Sequence, residues 1–314
     1  MCMSVKEKYI DPFTDFGFKW IFGTEEHKDL LISFLNDLLD IESPIVSITY
    51  RNLEKLGLNV IDRKAVFDIF CTDENNNNFI VELQRGKQKY FKDRSVYYTS
   101  FPIQEQSKKG DWDYSLNKIF FVGILEFELE NTPKDKYLSK VQLCDVDSKD
   151  IFFDKLTYYY IEMPKFQKSE EELSSHLEYW LYFLNNSTNV TQVPLKLKED
   201  KYISKAFDVA EFLALSPDEQ FAYQIDLKAR LDYVNVVEYA KECAMEEGRE
   251  QGLQQGLEQC LEQGLEQGRE EGLQQGKYQE KLEIAKISLD QGLDFQTVSM
   301  ITGLSILEIQ KLKD

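Results

Sequence analysis

Several features that would point directly to a function are scarce in this chain of 314 residues. Its two histidines leave little room for a histidine metal site or a Ser-His-Asp triad. The five cysteines are scattered without a Cys-x-x-Cys pair, so we expect neither a zinc ribbon nor disulfides, and we expect a reducing, cytoplasmic location. No run of about 18 apolar residues and no signal-like N-terminus occurs, so we expect no membrane span and no secretion.

Basic residues are also few relative to acidic ones. The chain has 37 Lys and Arg residues against 56 Asp and Glu residues, and its net charge of −19 argues against a general attraction to nucleic acid. The stretch from Gln84 to Lys118 is an exception, because it contains eight basic residues and only four acidic ones. This stretch predicts either a groove that follows phosphates or the solvated face of a helix.

What the chain does contain is a predicted β-hairpin with carboxylates inside its apolar strands. The two runs are 65–71 (Ala-Val-Phe-Asp-Ile-Phe-Cys) and 79–84 (Phe-Ile-Val-Glu-Leu-Gln), and the polar residues between them favour a turn. A carboxylate among valines and phenylalanines is costly to desolvate unless a cation satisfies it. The hairpin therefore predicts either a metal site or a structural salt bridge.

Side-chain alternation brings the acidic residues of this hairpin together. Asp68 shares one face of the first strand with Phe70, and Glu82 shares one face of the second strand with Gln84. If residues 73–77 form the connection, Asp68 lies opposite Glu82 with side chains about 5 Å apart. Two carboxylates that close favour a divalent ion, and hard oxygen ligands suit Mg²⁺ or Mn²⁺ better than zinc.

The rest of the pattern predicts an α/β core followed by helices. We expect helices over 24–40, with Thr24 as the N-cap, and over 89–108, and strands over 45–50, 118–127 and 157–163. Together with later helical segments, these elements predict a mixed α/β domain over residues 1–240.

The composition changes abruptly over residues 241–283. Glycine recurs every fourth residue at 248, 252, 256, 264, 268, 272 and 276, and leucine often follows. Each interior glycine costs a helix about 1 kcal/mol relative to alanine, and close packing against another helix would recover that loss. The many Glu and Gln residues exclude a membrane helix pair. Self-association, docking on the same chain and a solvated linker all remain open.

Residues 284–314 predict a small helix-turn-helix hairpin. Asp294 can cap a first helix that runs to Thr302, and Gly303 can end it. Ser305 and Glu308 then have the spacing of a capping box. Such hairpins are more often packing elements than DNA readers.

Several motifs follow one another in a fixed order along the chain. They are Asp-Pro-Phe-Thr-Asp-Phe-Gly-Phe-Lys-Trp-Ile-Phe-Gly at 11–23, Asp68, Glu82-Leu83-Gln84, the stretch 94–110, Phe-Phe-Val-Gly-Ile-Leu at 120–125, and the glycine repeat. Together they resemble the PD-(D/E)XK nuclease family transposases, also called recombination-promoting nucleases. The resemblance covers nearly the whole chain and implies a restriction-endonuclease-like core that cleaves DNA with a metal ion, linked to recombination or mobile elements.

The resemblance also implies residue roles. In the superfamily two carboxylates and one backbone carbonyl hold the metal, and these roles would fall on Asp68, Glu82 and Leu83. Gln84 stands where the superfamily pattern has Lys; an amide can orient water but carries no charge. On sequence alone, Gln84→Lys is expected to preserve or increase activity. Asp15 matches an acidic residue that often completes such sites, and it could equally be a helix N-cap.

These observations lead to one main expectation and one alternative. The main expectation is an Mg²⁺- or Mn²⁺-dependent DNA endonuclease, oligomeric through its glycine repeat, with catalytic residues Asp68, Glu82, Gln84 and Asp15. The alternative is a catalytically inactive DNA-binding or assembly module that keeps the fold. In either case, the residues expected to contact DNA are Lys87, Lys89, Arg94, Tyr97 and Gln106.

Overall fold

A mixed six-stranded sheet is the centre of the first of two units, residues 1–232, within the part of the chain that the structure describes. The computed structural model describes residues 8–51, 67–107 and 113–312. The strands are β1 (Ile48–Tyr50), β2 (Ile69–Asp73), β3 (Asn78–Gln84), β4 (Ile119–Leu125), β5 (Leu138–Cys144) and β6 (Ile151–Glu162). Their order is β1-β2-β3-β4-β6-β5; β3, β4 and β6 run parallel, and the other neighbours are antiparallel.

Helices flank this sheet, and further helices form the second unit. They are α1 (Asp15–Phe22), α2 (Lys28–Leu38), α3 (Phe91–Gln106), α4 (His176–Asn186), α5 (Leu195–Lys198), α6 (Lys201–Ala210), α7 (Pro217–Asp290), α8 (Phe295–Thr302) and α9 (Ile306–Gln310). Parallel neighbours need a crossover, and α3 supplies the one between β3 and β4. The result is the expected mixed α/β fold.

Both faces of the sheet are buried. On one face, α1, α2, α4 and α6 contribute Phe18, Phe34, Trp180 and Phe207 to a large apolar core that also contains sheet residues such as Val122. On the other face, α3 covers a smaller aromatic cluster. All seven residues of β4 are buried, which explains why its sequence is a continuous apolar run rather than an alternating one.

Hydroxyl pairs tie α3 to the sheet. The Tyr160 hydroxyl lies 2.7 Å from Ser95 Oγ, and the Tyr158 hydroxyl lies 2.7 Å from Thr99 Oγ1. Both tyrosines belong to β6, and Ser95 and Thr99 are one helical turn apart on α3. These buried polar contacts fix the rotation of α3 about its axis, and therefore which of its side chains face β3.

The N-terminal segment is clamped by the start of α7. Arg230 donates two hydrogen bonds to Glu126, at 2.7 and 2.6 Å, and forms an ion pair with Asp11 at 2.8 Å. One turn earlier, Asp226 accepts a hydrogen bond from the Phe16 N–H at 2.8 Å. The first turn of α1 is thus held beside the end of β4.

Two details differ from the sequence prediction. Thr24 does not cap an α-helix with its side chain; a 3₁₀ turn over Glu25–His27 intervenes, and α2 begins at Lys28. Strand β5 was not predicted, because its half-exposed edge lacks a strong apolar signal. Parts of two predicted elements, residues 65–66 and residue 108, lie outside the described residues.

The second unit, residues 233–314, ends in the predicted hairpin. Asp294 accepts hydrogen bonds from two backbone N–H groups at the start of α8, and Gly303 ends that helix with a φ of 70°. Ser305 and Glu308 form the predicted capping box of α9. Ala285 of α7 packs between the two short helices in a small apolar core.

The glycine repeat is helical along its whole length within α7. A Cβ atom added at any of its seven glycines would meet nothing within 4 Å. The leucines of the repeat are 60–68% exposed. Within the described part of the chain, no helix combines the length and the apolar character needed to cross a membrane.

Candidate active site

The β2–β3 hairpin has the register that side-chain alternation predicts. Ile69 pairs with Val81 and Thr72 pairs with Asn78, which leaves residues 73–77 as the connection. Continued by one residue, this register places Asp68 opposite Glu82. The confirmed register is the geometric basis of the site.

Two reciprocal hydrogen bonds lock the facing carboxylates in place. The Asp68 N–H donates to Glu82 Oε1 at 3.1 Å, and the Leu83 N–H donates to Asp68 Oδ2 at 2.7 Å. Glu82 is only 4% exposed, whereas Asp68 is half-buried. Each carboxylate is therefore oriented by the backbone of the opposite strand.

The environment of this pair favours protonation. Burial raises the pKa of Glu82 to about 8, the charge of Asp68 adds to the rise, and the hydrogen bond from the Asp68 N–H and the charge of Arg94 oppose it. Burial also raises the pKa of Asp68; the bond from Leu83 opposes this shift, and the charge of Asp15 adds to it. If both carboxyl groups lose their protons, their charges repel each other where little water can screen them. A divalent cation would reduce this repulsion.

Asp15 lies at the first position of α1 and is not its N-cap. Thr14 is the N-cap, since its side chain accepts a hydrogen bond from the Gly17 N–H at 2.9 Å. Asp15 instead forms an ion pair with Lys19 at 3.0 Å. Its charge raises the pKa of Asp68, so α1 brings a third carboxylate toward the pair.

Arg94 of α3 brings a positive charge to the same site. Its guanidinium donates to the side-chain oxygen of Gln84 and, at 2.6 Å, to that of Gln88. It also lies 3.8 Å from Glu82 Oε2. Gln84 is buried, and its Nε2 donates to the Gly86 carbonyl at 3.1 Å. Both ends of the Gln84 amide are therefore engaged.

Sequence reasoning missed Tyr98. Its ring lies one turn after Arg94 on α3, with the guanidinium carbon 5.4 Å from the ring centroid. Burial and then the charge of Glu82 raise the pKa of Tyr98, so this hydroxyl belongs to the electrostatic surroundings of the site. The i, i+4 spacing of Arg94 and Tyr98 was the available signal, because it places both side chains on one helix face.

The other residues expected to contact DNA are spread along α3 and the turn before it. Lys87 pairs with Glu130 at 2.8 Å, and both side chains are exposed. Lys89 lies 5.3 Å from the centroid of the Tyr90 ring. A cavity of about 440 Å³ at this end of α3 is lined by Lys87, Lys89, Lys92, Tyr90 and Phe127, among others.

Tyr97 and Gln106 lie further along the helix. Tyr97 is 48% exposed and presents its ring to solvent. Gln106 is the last residue of α3, and its side-chain oxygen accepts a hydrogen bond from the Asn117 N–H at 2.6 Å. The structure therefore groups Lys87 and Lys89 but separates them from Gln106.

The donor set suits a hard cation that keeps part of its water shell. Within the described ranges, no cluster of three or more His, Cys, Asp or Glu side chains is arranged to hold an ion. Magnesium commonly binds through one or two carboxylates and retains several waters. Asp68 and Glu82 could hold an ion in that way, and the Leu83 carbonyl is the third donor that the family resemblance implies.

Replacing Glu82 with Gln should stabilise the metal-free protein at alkaline pH. Between the ordinary pKa of 4.5 and the raised value of about 8, the unfolded chain loses a proton that the folded chain retains, so wild-type stability falls as pH rises. In EDTA we expect the variant to exceed the wild type by about 1–3 kcal/mol at pH 8.5 and by little at pH 5. Chemical denaturation measures this difference; Glu25→Gln, at an exposed ion pair, is the control. An equal difference at both pH values would contradict the expectation.

Comparison with known families gives a match over most of the chain. Residues 12–240, well over half of the chain, match the family described as PD-(D/E)XK nuclease family transposase. The matched range contains α1, the β2–β3 hairpin and α3. Comparison with curated proteins and with solved structures gives no significant match. The mixed sheet and its flanking helices are consistent with a restriction-endonuclease-like fold, and the chain belongs to the PD-(D/E)XK nuclease family transposases.

Proposed function

We propose that the protein is a DNA endonuclease that depends on Mg²⁺ or Mn²⁺ and acts in recombination or on mobile elements. The observation that carries this proposal is the locked pair of facing carboxylates, Asp68 and Glu82, inside the range that matches a nuclease family. Nucleases of this type generally use divalent metals, and burial together with the charge of Asp68, which raise the pKa of Glu82, supports a need for added positive charge at the pair.

Asp68, Glu82 and the Leu83 carbonyl would hold the ion. When bound, the ion would supply Lewis acidity and lower the pKa of a water molecule. Hydrogen bonds from backbone N–H groups preorganise the two carboxylates, because both side chains already have fixed orientations before a cation binds. Asp15 would extend the acidic cluster from α1, since its charge is already felt by Asp68.

One observation favours the alternative of an inactive DNA-binding or assembly module. Gln84 replaces the expected Lys, and its amide is engaged by Gly86 and Arg94. Without the amine of a lysine at this position to help orient or activate water, cleavage would be slow even with metal bound. The two functions differ in whether the purified protein cleaves DNA.

Asp68→Asn should lower the rate of DNA nicking by at least about 100-fold, because it removes a metal ligand while keeping the side-chain volume. Conversion of supercoiled plasmid to open circle in Mg²⁺ or Mn²⁺ measures the rate. Glu25→Gln, which changes an exposed carboxylate, should cleave at the wild-type rate.

A second measurement guards against a contaminating nuclease. Mg²⁺ should raise the melting temperature of the wild type and have a smaller effect on Asp68→Asn, because only a folded metal site gains binding energy. Equal nicking by both proteins would contradict the assignment of Asp68. A wild type that cleaves nothing while binding DNA would support the inactive module.

We further propose that DNA approaches the site along the start of α3. Lys87, Lys89 and Lys92 surround one cavity there, and the exposed Tyr97 offers a ring for stacking. Lys87 is already paired with Glu130, so Lys89 should contribute more to phosphate binding. Gln106 lies at the far end of the helix, its side-chain oxygen accepts the Asn117 N–H and its Nε2 is buried, so this residue is not expected to contact DNA.

Lys89→Gln should weaken binding to unrelated DNA duplexes by a similar factor and reduce the slope of log K against log salt by about 1. Fluorescence anisotropy across a salt series in EDTA measures both quantities. Lys28→Gln, which removes an exposed lysine from the opposite face of the sheet, is the control. An unchanged slope would mean that Lys89 is merely solvated.

We also propose that the glycine repeat joins copies of this chain. Its leucines are exposed to water, and the glycines leave open space that a second helix can enter. The repeat advances by about 40° every four residues at 3.6 residues per turn, so the partner must wrap around the helix. Residues 245–276 carry eight Glu and two Arg, so salt should strengthen association between copies.

Leucine at Gly264 and Gly268 should disrupt this assembly, because each added side chain separates the helix backbones. Light scattering at micromolar concentration should show an oligomer for the intact chain and a smaller species for the double variant. Circular dichroism should show equal or greater helicity in the variant, since leucine is the better helix former. Gln263→Leu with Gln267→Leu adds the same side chains beside the stripe as a control. A monomeric wild type would refute the proposal and favour a solvated linker.

A further inference from the structure

The surroundings of Arg94 suggest a role beyond general DNA contact. We propose that Arg94 supplies the positive charge that the Lys of the superfamily pattern would supply, and that Gln84 is a positioning residue that holds Arg94 in place. This inference rests on the proposed nuclease function and identifies its cationic group.

The first argument is location. Gln84 lies two residues after Glu82 on β3, so both side chains are on the sheet face that α3 covers. The Arg94 guanidinium reaches Gln84 and lies 3.8 Å from Glu82 Oε2. A cation is therefore present beside the proposed metal ligand, although it comes from a helix rather than from β3.

The second argument is rigidity. The guanidinium carbon lies 5.5 Å from the Phe91 ring centroid and 5.4 Å from that of Tyr98. Gln88 accepts another of its hydrogen bonds. A planar guanidinium with two rings and two amide oxygens around it loses little further freedom on binding an anion. The Arg94 side chain is still 27% exposed, so a phosphate can reach it.

The third argument explains why residue 84 is a glutamine. A lysine has donors only and could not accept the hydrogen bond that Arg94 gives to Gln84. It would also place a second positive charge beside the guanidinium. Gln84 and Arg94 are therefore a matched pair, and a lysine at one position is compatible only with loss of the arginine at the other.

The chemistry follows from the properties of arginine. Its side chain stays charged, so Arg94 takes no proton from water and acts by stabilising negative charge on the phosphate. Charge stabilisation of this kind is the main protein contribution to phosphoryl chemistry. Arg94 is thus assigned to the substrate phosphate, and Gln84 acts through Arg94.

The test is an exchange of the cation between the two positions. Arg94→Gln should lower the nicking rate at saturating DNA and metal by about 100-fold. Gln84→Lys alone should lower it by about tenfold, the opposite of what the sequence alone predicts, because the lysine repels Arg94. The double variant Gln84→Lys/Arg94→Gln should be about tenfold faster than Arg94→Gln, since a single cation again faces Glu82.

A readout without DNA checks the same geometry. Calorimetric titration with Mn²⁺ should give at least about fivefold tighter binding for Arg94→Gln than for the wild type, because a positive charge near the ligand oxygen is gone. Arg51→Gln is the matched control. Arg51 also pairs with a carboxylate of α3, Glu105, and also lies over a phenylalanine ring, but at the other end of the helix.

The outcomes separate two failures. Equal nicking rates for the wild type and Arg94→Gln would overturn the assignment of Arg94 and leave the nuclease proposal intact. A double variant no faster than Arg94→Gln, together with a Gln84→Lys variant at least as active as the wild type, would overturn the pairing with Gln84. A wild type that cleaves no DNA in either metal contradicts the nuclease proposal itself, and the assignment falls with it.

Discussion

Two carboxyl groups held face to face in a poorly solvated hairpin are the constraint on which the rest of the site depends. The backbone N–H groups of Asp68 and Leu83 orient the two carboxylates, but they do not neutralise them. Burial therefore leaves the pKa of Glu82 near 8, far above that of a carboxyl group in water. This arrangement lowers the stability of the protein at alkaline pH, and strongly shifted pKa values of this kind cluster at functional sites.

The crossover helix decides which groups surround this pair. α3 is locked by the hydroxyl pairs Tyr160–Ser95 and Tyr158–Thr99, and it lies close to the sheet at Gly123. A Cβ at Gly123 would lie 3.3 Å from the Tyr160 ring and 3.4 Å from the Phe91 ring. Glycine therefore permits the approach that brings Arg94 to Glu82, since Gly123 is the neighbour of Glu82 on β4. The packing of α3 against the sheet therefore determines which charges surround Glu82.

The N-terminal segment is tied into the same arrangement from the other side. Arg230 holds both Asp11 and Glu126, and Asp226 holds the first turn of α1. Asp15 is thereby placed where its charge acts on Asp68. The start of α7 thus supports the candidate site from within the first unit, and the glycine repeat belongs to the second unit.

The sequence by itself determined the features that depend on local periodicity. Alternation fixed the register that pairs Asp68 with Glu82, and the capping residues Asp294, Ser305 and Glu308 were readable because caps act within one turn. The sequence also showed that residue 84 is glutamine, but gave no reason for it. Only the tertiary structure decided that Arg94 meets Gln84 and Glu82 and that β5 forms an edge. These features depend on how a crossover helix and distant segments pack against the sheet, and no short-range pattern encodes that packing.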